Sequence, residues 1–76
     1  MDIKAYVLLD TEVGMAEELV EEVRRVEGVK AADAVTGPYD VVVNVEVATL
    51  DDLAAVIRKI HSASGINKTT TLIRLK

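Results

Sequence analysis

Cysteine is absent from this 76-residue chain and histidine occurs once. No disulfide can form and no Cys/His metal site can be assembled, so neither reinforces the fold, and no cofactor is expected. Phenylalanine and tryptophan are missing and tyrosine occurs only twice, which removes the aromatic platforms on which single-stranded bases stack. The 9 Lys and Arg are outnumbered by 13 Asp and Glu, and a net charge of −4 works against the clustered cations that phosphate binding needs. Direct nucleic-acid binding is therefore not expected. No apolar run approaches the roughly 18 residues of a membrane span, and the start M-D-I-K-A has no basic stretch followed by an apolar one. No membrane partner is expected, and a cytoplasmic location is.

Half of the residues are apolar. A single domain of this size buries only about 60% of the surface that its unfolded form exposes. Without a disulfide or a metal, oligomerisation is the expected source of further stability.

The apolar residues fall into two periods. Residues 3–9, I-K-A-Y-V-L-L, read as a strand with Ile3, Ala5, Val7 and Leu9 on one face and Lys4, Tyr6 and Leu8 on the other. From 14 to 26, Ala16, Leu19, Val20, Val23 and Val26 keep the spacing of one helical face, with acids preceding bases and a Glu21–Arg25 pair at i, i+4. Gly28 is the expected C′ residue of that helix. Residues 29–35 then alternate weakly as a second strand, with Val29, Ala31, Asp33 and Val35 set against Lys30, Ala32 and Ala34. The third strand, D-V-V-V-N-V-E-V, has a continuous row of Val41, Val43, Val45 and Val47 opposite Val42, Asn44 and Glu46. Thr49 and Asp52 mark the start of a second helix, carried by Leu50, Leu53, Ala54, Val56, Ile57 and Ile60 and stopped by Gly65. Residues 66–75 are rich in β-branched types and read as the last strand.

The order β-α-β-β-α-β predicts an α+β, ferredoxin-like fold, a four-stranded antiparallel sheet with two helices on one face. If the valine row packs on the helices, Tyr6, Leu8, Val42 and Leu72 lie on the uncovered face, among Asn44, Glu46 and Arg74. A self-complementary apolar face of this kind predicts a dimer through the sheet.

Catalytic constellations are poorly represented. His61 falls in the last turn of a helix, where a cation or a neutral surface imidazole is ordinary, and Asp51 and Asp52 fall in a first turn, where carboxylates suit the dipole. The glycines at 14, 28, 37 and 65 punctuate element ends and make no phosphate loop. Two stretches remain, T-G-P-Y-D at 36–40 and N-K-T-T-T at 67–71. Together they offer hydroxyls, a ring, an open turn and a carboxylate, groups suited to a zwitterion whose ammonium meets Asp40. Each also has a local explanation, a turn built on Gly37 and Pro38 in one case and β-propensity in the other.

These stretches carry a resemblance. G-P-Y-D followed by a valine strand is similar to the G-x-Y/F-D signature of the C-terminal effector domain of the Lrp/AsnC transcription regulators, and G-I-N-K-T-T-T-L-I-R-L resembles the closing segment of that domain, with Thr69 and Thr71 at its two Thr places. The opening A-Y-V-L-L is typical as well. The resemblance implies that residues 1–76 form one effector-binding and oligomerisation domain, a homodimer or a larger ring, with amino acids or related metabolites bound between subunits. Carried over by position, Gly37, Tyr39, Asp40, Thr69 and Thr71 are effector contacts, and Asn44 is added on strand geometry. The helix-turn-helix module that normally precedes this domain is missing, and the resemblance points to a non-enzymatic partner of full-length relatives. Met1 directly before the first strand fits a natural short protein. The ACT-type amino-acid-binding domain and the dimeric α/β-barrel enzymes share the element order and stand as alternatives.

Overall fold

In the computed structural model, which describes residues 2–76, the chain runs β1 (Ile3–Thr11), α1 (Ala16–Val23), β2 (Val29–Ala34), β3 (Val41–Val47), α2 (Leu50–His61) and β4 (Ile66–Ile73). The strands form one antiparallel sheet in the order β2-β3-β1-β4. The two strands with the strongest apolar alternation therefore occupy the centre. Their register places Ala5 opposite Val45, Val7 opposite Val43 and Leu9 opposite Val41, and all six are buried. Leu19, Val20 and Val23 of α1 and Leu53, Val56 and Ile60 of α2 close over this row from one side. The order of elements, the sheet and the two helices agree with the ferredoxin-like fold that the sequence predicts.

Thr49 starts α2 as expected. It is extended, and its hydroxyl accepts the Asp52 N–H at 3.1 Å. Within α2, however, Leu50 and Ala54 are exposed, so the buried stripe is narrower than the spacing alone implies.

α1 stops three residues before Val26. The N–H groups of Arg25 and Val26 turn to Glu22 and Val23, three residues back, at 3.2 and 3.0 Å, which tightens the chain out of the helix. The expected Glu21–Arg25 pair gives way to Arg24 and Glu21, whose charged groups meet at 2.9 Å. Gly28 consequently lies beyond the helix end, in a separate turn closed by the Val29 N–H on the Val26 carbonyl at 3.1 Å. Its φ of 97° is the left-handed region, and a Cβ there would meet Val56 Cγ2 at 2.9 Å and Val47 Cγ1 at 3.1 Å.

The alternation expected in β2 is broken by an irregularity between Val29 and Ala31. After this bulge Ala32 faces the core opposite Val43 and is buried, while Ala31 and Asp33 lie opposite Asn44 and Val42, whose side of the sheet no helix covers. β1 reaches Thr11, two residues past the expected end, and β4 ends at Ile73, two residues before it. Neither helix of the described residues is long and apolar enough to cross a membrane.

Candidate functional site

The 36–39 loop leaves the end of β2 and returns at the start of β3, and three hydrogen bonds fix its base. The Val35 N–H donates to the Asp40 carbonyl at 2.9 Å, the Asp40 N–H donates to the Leu9 carbonyl at 2.9 Å, and the Thr11 N–H donates to Asp40 Oδ2 at 2.9 Å. Asp40 thus ties the start of β3 to the end of β1. The Thr11 hydroxyl also lies 3.4 Å from Oδ2, so both contacts to this carboxylate fall on one oxygen, and none of the hydrogen bonds among the described residues uses Oδ1. Gly37 has a φ of 143°, and a Cβ there would meet nothing within 4 Å. Glycine at 37 serves the backbone conformation and leaves open space beside the turn. Tyr39 is half-buried next to it.

Thr69 and Thr71 stand on β4 opposite Leu9 and Val7. They therefore share the helix side of the sheet. The helices pack over β2, β3 and β1 and leave β4 largely uncovered, so its inner side is a ledge on which both threonines are half-buried. Leu9 links the two motifs: Asp40 bonds its carbonyl from the β3 side, and Thr69 faces it from the β4 side. Segments 29 residues apart in sequence, Asp40 and Thr69, come to within two strand spacings, about 10 Å. Thr71 lies one side-chain repeat further along the ledge, about 7 Å.

Asn44 does not join them. It pairs with Tyr6 on the uncovered face and lines a cleft with Lys4, Tyr6, Lys30, Glu46 and Arg74. A cleft of about 380 Å³ lies at the other end of β3 around Gly28, Val47, Val56 and Lys59. Neither of these two clefts is lined by Gly37, Tyr39, Asp40, Thr69 or Thr71.

Tyr6, Leu8, Val42 and Leu72 sit together on the uncovered face, Tyr6 39% and Leu72 50% exposed. His61 is exposed as the last residue of α2, and Asp51 and Asp52 are exposed in its first turn. Sequence reasoning overlooked Thr11, the one polar residue buried among the described residues and the partner that holds Asp40. Its place was readable, because it continues the inward row of Ala5, Val7 and Leu9, but nothing in the sequence marks a hydroxyl there as a partner for Asp40.

The model for the Lrp/AsnC ligand-binding domain matches residues 4–76. Among solved structures, TTHA0845 from Thermus thermophilus is 31% identical with a TM-score of 0.91, covering 97% of this chain and 94% of that one. The hypothetical protein PHS023 from Pyrococcus horikoshii is 36% identical with a TM-score of 0.89, covering 97% and 90%. The transcriptional regulator NMB0573 from Neisseria meningitidis, solved with L-Met, shares the fold at 19% identity and a TM-score of 0.83, with 97% of this chain matching 50% of that one. No protein of curated function matches the chain.

Proposed function

This chain belongs to the Lrp/AsnC ligand-binding domain family, and from that premise we propose that it senses an amino acid or a closely related metabolite at a site completed when copies of the chain assemble. The observation that carries the reading is the meeting of the 37–40 turn and the Thr69 ledge around Leu9, with open space beside Gly37. Oδ1 of Asp40, used by none of the hydrogen bonds among the described residues, would accept from a ligand ammonium. The Thr69 and Thr71 hydroxyls and the open backbone at Gly37 supply donors for a carboxylate. Asn44 lies on the other face and is not part of this constellation. The complex of NMB0573 with L-Met supports an amino acid as the ligand class.

A second copy would cover Tyr6, Leu8, Val42 and Leu72, giving a dimer that can assemble further into rings. The domain would then act in the cytoplasm by modulating longer regulators of its family, a regulatory role and not a catalytic one.

Screening the standard amino acids by thermal shift and calorimetry tests the reading. At least one should raise the melting temperature, by the equivalent of about 2.7 kcal/mol at a hundredfold excess over its Kd. Asp40→Asn should abolish the response while the fold is kept, because an amide oxygen still accepts the Thr11 N–H but the charge facing the ammonium is gone. Silence from every amino acid overturns the amino-acid reading, and a full response in Asp40→Asn removes Asp40 from the site.

A further inference from the structure

β4 ends at Ile73, yet its ladder continues one step further, the Arg74 N–H donating to the Lys4 carbonyl at 2.8 Å. Arg74 Nε then donates to the Lys76 carbonyl at 2.8 Å, which closes residues 74–76 into a hook. Leu75 sits between the two cations and is 99% exposed, so no described part of its own chain covers it. Asp2, Lys4, Arg74 and Lys76 line a shallow hollow with it, three cations against one acid.

A surface of the opposite character lies at the same end of the sheet. The 380 Å³ cleft beside Gly28 has an apolar lining of Val47, Ala48, Ala55 and Val56. One face of α2 presents Asp52, Ala55, Val56 and Lys59 to it. Its acids are Glu27, Glu46 and Asp52, its one base Lys59. Glu46 is shared with the cleft on the uncovered face, and acids outnumber the base without it. Both ion pairs among the described residues use Arg24, so no ion pair engages the charges of either the hook or the cleft.

We infer that this cleft receives the 74–76 hook of a second copy, Leu75 entering against Val47, Ala55 and Val56 while Arg74 and Lys76 meet the carboxylates of the rim. The hook does not reach the cleft of its own chain. Extending the β1–β4 register sets Leu75 level with Ile3, whose partner on the other side is Val47. Val47 is thus two strand spacings from the hook, about 10 Å, whereas one residue past the Arg74 anchor spans at most about 3.6 Å. Burial of the leucine supplies the attraction, and the rim charges, which stay solvated, select the partner. The contact uses neither the apolar row of the uncovered face nor the turn and threonines of the proposed effector site. Hook and cleft are different patches, so the contact runs head to tail and joins chains that a two-fold dimer leaves separate.

The peptide T-L-I-R-L-K, the sequence of residues 71–76, probes the cleft directly. It is titrated into the Leu75→Asp chain, whose own hook is disabled. The amide signals of Val47, Ala55 and Val56 should shift, and a peptide carrying Leu75→Asp should bind roughly tenfold or more weakly. Ala55→Phe, which fills the cleft from its helix wall, should abolish the shifts while the rest of the amide spectrum is kept. In the parent chain the same signals should move with protein concentration beyond any change seen in Leu75→Asp. No shift at roughly millimolar peptide, or shifts that survive Leu75→Asp in the peptide, overturn the docking. Cleft signals that depend on Leu75 but not on concentration would place the hook in the cleft of its own chain and overturn the second copy as occupant. The response to amino acids is a separate measurement, so failure here leaves the proposed effector site standing.

Discussion

Gly28 is held to glycine by its backbone angle and by its neighbours. Its φ of 97° strains any side chain, and the space where a Cβ would sit is taken by methyl groups of Val56 and Val47. Gly28→Ala should therefore cost at least about 2 kcal/mol, since backbone strain and overpacking each contribute on the order of 1–3 kcal/mol. A shift of the urea midpoint with an unchanged slope would show it. Gly37 contrasts with it: its backbone is also restricted, but the space beside it is empty. Closeness to the core explains one glycine, and an open approach to the turn explains the other. Asp40 shows how a turn residue and a proposed site residue can coincide. One carboxylate oxygen secures Thr11, and none of the hydrogen bonds among the described residues uses the other, which the proposed site would offer to a ligand. The local reading of T-G-P-Y-D as a turn is thus correct and does not compete with the proposed effector contact.

At the level of elements, the two helices differ in how they are ended and started. α2 has a side-chain cap from Thr49, whereas α1 begins at Met15 with no side-chain cap and runs only 8 residues. Thr49→Ala should lower stability by about 1 kcal/mol, with Thr49→Ser recovering most of it, as read from denaturant unfolding. The short α1 has a use for the residue that ends it. Arg24 Nε donates to the Ala32 carbonyl at 3.0 Å, so its side chain covers part of β2, a strand whose outer edge would otherwise be free to pair with another chain. This contact joins the end of α1 to β2, the two elements that depart from their sequence readings. The helix gives way early enough for Arg24 to reach the strand, and the bulge after Val29 turns Ala32 inward. Neither event has a periodic signature. The rows of β1, β3 and α2 do, because each faces the core through a regular repeat.

For the whole molecule, the balance between core and surface decides the state. The 8.2 kDa chain carries an aliphatic core in which Val is the commonest residue, and leaves Tyr6 and Leu72 substantially exposed on the sheet. If that face is covered by another copy, folding and assembly are linked, and the melting temperature should rise with protein concentration. Scanning calorimetry across the micromolar range, with light scattering at the same concentrations, would measure this. A melting temperature independent of concentration together with an 8.2 kDa species throughout would contradict the dimer.

Sequence alone determined the order of elements, the central valine and leucine rows, the Thr49 start of α2 and the membership of the uncovered face, because each follows from a repeat of 2 or 3.6 residues or from one short-range hydrogen bond. The family was legible as well, in G-P-Y-D and the threonines of the closing strand. Tertiary structure decided which of the candidate contacts meet. Only the register of β1 with both β3 and β4 sets Asp40 and Thr69 on either side of Leu9, away from Asn44, which the alternation of β3 already assigns to the uncovered face. Pairings between strands distant in sequence are set by the packing of the whole sheet, and no local pattern in a single segment records them.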